Sequence, residues 1–103
     1  MKILLVCAGG MSTSILMNKM KKYWASVDEP LDIKAVGLAE YNENDKDYDI
    51  ILIGPQVSYR KKMIEEDTGK PCAAINSNDY ALGNCENIFR QAKELYENLE
   101  AAG

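Results

Sequence analysis

The chain has 103 residues, a formal net charge of −4, no histidine, and 47% hydrophobic against 27% charged residues. This length suits one domain, which we expect to span residues 1–103 and to bury roughly two-thirds of its unfolded surface. The acidic balance argues against nucleic acid as a partner, because proteins bind it through clustered Lys and Arg. No stretch approaches the ~18 apolar residues of a membrane span, so we expect a cytoplasmic protein without direct membrane insertion.

Four apolar runs in the chain are typical of β-strands: Lys2 to Val6, Asp32 to Val36, Asp49 to Ile53, and Cys72 to Ile75. Three of them are continuous rather than alternating, as expected for strands that are buried on both faces of a parallel sheet. The second run alternates between polar and apolar residues, which favours an edge position.

Three helices are predicted from apolar residues at helical spacing: one through Ile15 to Val27, one over Val57 to Glu66, and one after an N-cap at Asn84. We expect Asn76 to Gly83 to be a loop. The stretch from Gly37 to Tyr48 predicts only a short or irregular helix, with a single turn around Leu38 to Tyr41.

Alternating strands and helices with right-handed crossovers predict an α/β fold: a single-domain three-layer sandwich with helices on both faces of a four-stranded parallel sheet. With strand order 2-1-3-4, the chain direction diverges between the first and third strands. A crevice then opens at their carboxyl ends, between Cys7 and the segment Gly54-Pro55-Gln56. We expect a monomer, because no helix has an excessive apolar face.

The turn after the first strand has the composition of a phosphate-binding loop. Small and hydroxyl residues follow Cys7, and Ser12 to Ser14 predict the cap and first turn of a helix. Backbone N–H groups and the positive end of that helix favour a dianionic phosphoryl group. The candidate phosphate-binding residues are Ala8, Gly9, Gly10, Met11, Ser12, Thr13 and Ser14.

Cys7 is the candidate nucleophile at this turn. The field that favours a phosphoryl group also favours thiolate over thiol, and the thiolate is the reactive form. The alternative is that Cys7 is a small buried residue ending a strand, while the hydroxyls only cap a helix. Cys72 and Cys85 are predicted to be structural. The three cysteines lack zinc-type spacing, so we expect reduced thiols and neither a metal site nor a cofactor.

Two further groups of residues remain open to more than one interpretation. Gln56 and Tyr59 follow the third strand, where they would contact a phosphate or partner across the crevice, or else cap the next helix. The basic groups Lys19/Lys21/Lys22 and Arg60-Lys61-Lys62 are either solvated helix faces or a docking patch for a partner protein.

The chain resembles the IIB component of the bacterial phosphoenolpyruvate-dependent sugar phosphotransferase system, in its lactose, cellobiose and chitobiose branch. Two segments carry the resemblance: Cys7-x-x-Gly10-Met11-Ser12-Thr13-Ser14 directly after the first strand, and Ile50-Ile51-Leu52-Ile53-Gly54-Pro55-Gln56-Val57 with Tyr59 following. The resemblance covers essentially all of residues 1–103. Ala8 and Gly9 occupy positions that vary in that family.

The resemblance implies a phosphotransferase in which Cys7 accepts a phosphoryl group from a histidine of the IIA component. Cys7 would pass the group to a sugar of the β-glucoside or disaccharide class bound by the membrane-embedded IIC component. The protein would then work in the cytoplasm, at the inner face of the membrane when bound to IIC. The identity of the sugar stays open.

Two other function classes are compatible with parts of the sequence. A low-molecular-weight cysteine phosphatase or arsenate reductase also places a Cys-led loop after its first strand, but with an arginine that binds the phosphate, and Thr13 stands at that position here. Asp79 is the candidate general acid for that class. A non-catalytic flavodoxin-like binding module, for instance a flavin-binding or receiver-like domain, is the other alternative.

Overall fold

The computed structural model describes residues 1–7, 11–41 and 45–102. Four parallel strands form one sheet in the order β2-β1-β3-β4, and they are β1 (Lys2–Val6), β2 (Asp32–Val36), β3 (Ile50–Ile53) and β4 (Cys72–Ala74). The α-helices within the described residues are α1 (Met11–Ser26), α2 (Lys61–Thr68), α3 (Ser77–Leu82) and α4 (Cys85–Ala102). The predicted strand order is confirmed.

The residues of the central strands β1 and β3 are more completely buried than those of the edge strand β2. Every residue of β3 is buried, and so is every residue of β1 after Lys2. The continuous apolar runs therefore lie at the centre of the sheet, where both faces are covered. In β2 the exposed Asp32 and Lys34 alternate with buried neighbours, which confirms the predicted edge position.

Each face of the sheet has its own core. On one face α1 and α4 cover the sheet, and the fully buried Trp24 packs edge-on against Phe89 at 4.8 Å between ring centroids. On the other face Val57, Ile64 and Tyr41 pack against the alternate residues of β1 and β3. Since the residues of one strand point to opposite faces, β1 and β3 contribute to both cores, and the predicted three-layer arrangement is confirmed.

The structure corrects the prediction of a loop over 76–83. Helix α3 occupies that segment because the Asn76 side chain caps its start, accepting hydrogen bonds from the backbone N–H groups of Asn78 (2.9 Å) and Asp79 (3.4 Å). Gly83 ends the helix in the left-handed conformation at φ 65°, which glycine adopts without a steric penalty. The Asn and Gly signals were present in the sequence, but they flank only six helical residues.

The bounds of two other helices also differ from the prediction. The segment Pro55–Arg60 is a 3-10 helix with a non-helical Val57, and α2 begins only at Lys61. Helix α1 begins at Met11, one residue before the predicted cap. The stretch after β2 contains a turn over residues 38–40 and a 3-10 helix at Asp45–Asp47, as expected for an irregular connection, while residues 42–44 lie outside the described part.

Candidate functional site

Cys7 directly follows β1 and lies against the end of β2. Its backbone N–H donates to the carbonyl oxygen of Val36 at 3.0 Å, and its Sγ lies 3.8 Å from the same oxygen. The residue is only 2% exposed. This position follows from the register, since Val6 is paired with Val36 and the next residues, Cys7 and Gly37, must then be neighbours. The thiol is therefore held at the carboxyl edge of the sheet.

Gly54 forms the other side of the site, at the end of β3. Its N–H donates to the carbonyl oxygen of Val6 at 2.8 Å. A Cβ at this position would lie 3.4 Å from the Cβ of Cys7 and 3.2 Å from Oε1 of Gln56. The distance to Gln56 Oε1 is tight and the distance to the Cys7 Cβ is an ordinary van der Waals contact, so Gly54 lies directly against both residues.

Gln56 and Tyr59 have different surroundings. The side chain of Gln56 is exposed, but its Oε1 folds back toward Gly54, to 3.2 Å from the position of a Cβ that would itself lie 3.4 Å from the Cys7 Cβ. The structure thus brings together Cys7 and Gln56, which the sequence had placed on opposite sides of a crevice. Tyr59 is 75% exposed, and the guanidinium of Arg60 lies 5.9 Å from its ring centroid. Its exposure leaves Tyr59 available to a partner.

The N-terminus of α1 lies next to Cys7 along the chain, because the helix begins at Met11. A helix of 16 residues carries the equivalent of roughly half a positive charge at this end. Ser14 is exposed in its first turn. The predicted phosphate-binding residues Ala8, Gly9 and Gly10, and the side chains of Met11, Ser12 and Thr13, lie outside the described residues, so their roles stay predictions.

The other two cysteines are buried free thiols away from this turn. Cys72 begins β4, and burial raises its pKa to about 12, with the Glu65 carboxylate acting in the same direction. Cys85 begins α4, where burial raises the pKa of its thiol while the Lys19 ammonium acts in the opposite direction. Both environments oppose the thiolate, in agreement with a structural role.

Val36 and Gly37 are the neighbours of Cys7 that sequence reasoning did not single out. Cys7 touches the Val36 carbonyl, and a Cβ on Gly37 would lie 4.0 Å from the Cys7 carbonyl oxygen. The signal was available, because a 2-1-3-4 order places the ends of the first two strands side by side. The exact register of the two strands was also needed to identify Val36 and Gly37 as the residues beside Cys7.

The described residues form neither a cluster of metal ligands nor a membrane-spanning helix. Across residues 1–7, 11–41 and 45–102, no group of three or more His, Cys, Asp or Glu side chains is arranged to hold a metal ion. None of the helices in that part of the chain combines the length and the apolar composition needed to cross a membrane.

Asp79, the candidate general acid of a phosphatase, accepts a hydrogen bond from the Asn87 side chain at 3.0 Å.

Comparison with solved structures supports this fold. The cellobiose-specific phosphotransferase IIB component from Borrelia burgdorferi superposes with a TM-score of 0.78 at 36% identity, over 95% of this chain and 93% of that one. The lactose-specific IIB domain from Streptococcus pneumoniae gives a TM-score of 0.80 at 19% identity, over 93% and 97% of the two chains. At that identity the second match shows the fold alone.

Sequence comparison identifies relatives of the same kind. The chain is 36% identical over 100 residues to the oligo-beta-mannoside-specific EIIB component of Bacillus subtilis, covering 94% of this chain and 97% of that protein. It is 32% identical to the cellobiose-specific EIIB component of Lactococcus lactis, covering 90% and 94%. The protein-family model described as "PTS system, Lactose/Cellobiose specific IIB subunit" matches residues 2–91 of this chain. The chain therefore belongs to the lactose/cellobiose-specific IIB family of the sugar phosphotransferase system.

Proposed function

We propose that Cys7 carries a phosphoryl group between two other components of a sugar phosphotransferase system. One observation carries this proposal: Cys7 lies at the carboxyl edge of the sheet, between the ends of β2 and β3 and just before the N-terminus of α1. A nucleophile beside a helix N-terminus is placed to bind and attack a phosphoryl group. Phosphoryl transfer in sugar uptake is the general role of this family.

The transfer exchanges one bond to phosphorus for another in each of two steps. In the first, Cys7 Sγ attacks the phosphorus of a phosphohistidine on the IIA component, so that the N–P bond breaks and an S–P bond forms. In the second, a sugar hydroxyl attacks the phosphorus, so that an O–P bond forms and the S–P bond breaks; Cys7 leaves as a thiolate and the hydroxyl proton passes to solvent. The backbone N–H groups of the turn after Cys7 and the positive end of α1 stabilise the charge of the phosphoryl group during both steps.

The absence of histidine suits a carrier rather than a hydrolase. Histidine is the commonest general base at neutral pH, and the chain contains none. No imidazole of this chain can therefore activate a water molecule to hydrolyse a phosphoryl group on Cys7. The turn also lacks the arginine through which a cysteine phosphatase binds its substrate.

The partners of this chain are proposed from its relatives. A lactose-specific EIICB component from Staphylococcus epidermidis is 31% identical over 68 residues, which cover 66% of this chain and 12% of that protein. The name joins IIC and IIB in one component, which supports a membrane IIC component as the acceptor partner of this chain. We propose that it works in the cytoplasm, at the inner face of the membrane when bound to IIC.

The sugar class is proposed from the same comparisons. The names of the relatives specify oligo-beta-mannosides, cellobiose, galactose and lactose. Three of these four are β-linked sugars, so we propose a β-glycoside or disaccharide as the acceptor. The sugar would be bound by IIC, and Cys7 would be common to all these specificities.

The test is to label the protein with phosphoenolpyruvate, the general phosphotransferase proteins and a IIA component, and to locate the phosphoryl group by mass spectrometry. We expect one phosphoryl group, on Cys7, and complete loss of the label in Cys7→Ala. The matched controls Cys72→Ala and Cys85→Ala should keep the label. Label that survives in Cys7→Ala would contradict the proposal, as would rapid Cys7-dependent hydrolysis of p-nitrophenyl phosphate.

A further inference from the structure

Gln56 is an exposed polar residue whose side chain turns back toward Cys7. Its Oε1 and the Cβ of Cys7 lie 3.2 Å and 3.4 Å from one common point, which is the position that a Cβ on Gly54 would occupy. The carboxamide and the Cys7 side chain are therefore both neighbours of the one place where Gly54 lacks a side chain. A phosphoryl group on the sulfur would add three acceptor oxygens beside this place.

The backbone around Gln56 is held by the sheet and the core. On one side, the Gly54 N–H donates to the carbonyl oxygen of Val6 at 2.8 Å, which ties it to the last residue of β1. On the other side, Val57 is buried, and its N–H donates to the Gly54 carbonyl oxygen at 3.1 Å. Pro55 restricts the backbone further, because its ring fixes φ. Gln56 therefore starts from a fixed position, and only its side-chain torsions are left to vary.

The Gln56 carboxamide has no hydrogen-bond partner among the described residues. The 3-10 helix Pro55–Arg60 and helix α2 both lack a side-chain hydrogen bond at their N-caps, so Gln56 does not cap either helix. The chain's other glutamine, Gln91, donates its Nε2 to the carbonyl oxygen of Ala74 at 2.8 Å. The Gln56 carboxamide is thus unoccupied, and a half-turn of its last torsion exchanges oxygen and nitrogen without breaking a hydrogen bond.

We propose that Gln56 donates a hydrogen bond from Nε2 to the phosphoryl group on Cys7 and is a catalytic residue of the transfer. This inference rests on the proposed function. A phosphoryl group carries nearly two negative charges near neutral pH, and a hydrogen bond to a charged oxygen is stronger than one between neutral groups. A carboxamide has no basic nitrogen, so Gln56 stabilises this charge without activating water for hydrolysis.

The first test titrates the phosphocysteine by phosphorus NMR, in protein that has been phosphorylated and then purified away from its partners. Gln56→Met keeps the length of the side chain but removes both N–H groups. We expect this variant to raise the second pKa of the phosphoryl group by about one pH unit, because a donor to the dianion is lost. Gln56→Glu should raise that pKa further, since a carboxylate repels the dianion.

The second test measures single-turnover transfer from phosphorylated IIA as the concentration of this protein is varied. For Gln56→Met we expect the rate at saturation to fall about tenfold, because one donor to the transferring group is removed. The half-saturating concentration should stay within about twofold, since the hydrogen bond is made to the phosphoryl group and not to the partner. Gln56→Glu should be slower than Gln56→Met.

Asn98 provides matched controls at the opposite edge of the sheet. It is an exposed amide near the end of α4, and the preceding Glu97 lines a cavity with Met1, just before the start of β1. Asn98→Leu removes an amide and Asn98→Asp adds a negative charge. Both should leave the phosphocysteine pKa unchanged and the rate within about twofold, because solvent and salt screen a charge at that edge. Circular dichroism would verify that each variant is folded.

Two outcomes would overturn the proposal while the proposed function stands. One is an unchanged phosphocysteine pKa and transfer rate in both Gln56 variants, with Cys7 labelled as usual. The other is a raised half-saturating concentration with an unchanged phosphocysteine pKa, which would assign Gln56 to the docking of a partner. An unmodified protein that takes no label on Cys7 would instead refute the proposed function itself, and this inference with it.

Discussion

Cys7 and Cys72 are both cysteines outside any disulfide and are almost equally buried, at 2% and 6% exposed, but their surroundings differ. Cys72 is the first residue of the edge strand β4. Its burial, together with the nearby Glu65 carboxylate, raises its pKa to about 12. Cys7 lies where two strand ends and a helix N-terminus meet. Burial alone therefore does not separate a structural thiol from a nucleophile. We propose that the backbone groups around the sulfur do, and three predictions test this comparison.

The largest effect is expected from the contact between Gly54 and Cys7. Gly54→Ala would place a Cβ 3.4 Å from the Cβ of Cys7 and 3.2 Å from Gln56 Oε1. The backbone at φ −62° and ψ 149° accepts alanine, so the added methyl group packs against Cys7 and moves the Gln56 carboxamide by a few tenths of an ångström. We expect phosphoryl transfer to slow about tenfold, because the methyl group changes the surroundings of the reacting thiol. Single-turnover kinetics would measure this rate.

Gly37→Ala is the matched control for Gly54→Ala. A Cβ on Gly37 would lie 4.0 Å from the Cys7 carbonyl oxygen, which is an ordinary van der Waals distance. The transfer rate should therefore stay within about twofold, since nothing at the site has to move. Equal losses in the two variants would show that contact with Cys7 is not what requires glycine at position 54.

A smaller effect is expected in the pH dependence of stability. Burial, with a contribution from Glu65, raises the pKa of Cys72 from 9.0 to about 12 in the folded protein. Above about pH 9 the unfolded chain releases this proton while the folded chain keeps it, so the free energy of unfolding falls as the pH rises. Cys72→Ala should make this decline shallower, by at most about 1.4 kcal/mol per pH unit.

Urea unfolding at a series of pH values would measure that slope. The substitution also removes packing contacts, which lowers the whole curve without changing its slope. Between about pH 6 and pH 8 the two proteins should therefore give parallel curves, because the Cys72 thiol is protonated in both states there. If the stability curves of the two proteins stay parallel above pH 9, the pKa of Cys72 is not raised by its surroundings in the folded protein.

The smallest effect is expected from Glu65→Gln. The Glu65 carboxylate raises the pKa of Cys72, so its removal should lower that pKa, and Lys61, which acts in the opposite direction, should then lower it further. The half-exposed Lys61–Glu65 salt bridge is lost as well, at a cost of about 0.5 kcal/mol or less. Thiolate absorbance would follow Cys72, and transfer through Cys7 should be unchanged. A slower transfer would mean that the two thiols are not independent.

The strands could be predicted closely because their signal is local. Continuous apolar runs placed β1 at its observed bounds and β3 and β4 within one residue, and an alternating run placed β2 at its observed bounds. Helix α3 could not be predicted in this way, because six residues without a buried side chain present no apolar periodicity. Its stability comes from the Asn76 cap and the Gly83 terminus, which are short signals that also occur in turns.

By itself the sequence determined where the strands lie along the chain, the position of Cys7 after the first strand and the start of a helix just beyond it, because these depend on neighbouring residues. Only the tertiary structure decided which distant residues surround Cys7. The Val36 carbonyl and Gly54 reach it through the strand register, Gln56 follows Gly54, and the end of the Lys19 side chain reaches Gly83. These contacts join residues from 29 to 64 positions apart, and they depend on how the whole core packs rather than on any local pattern.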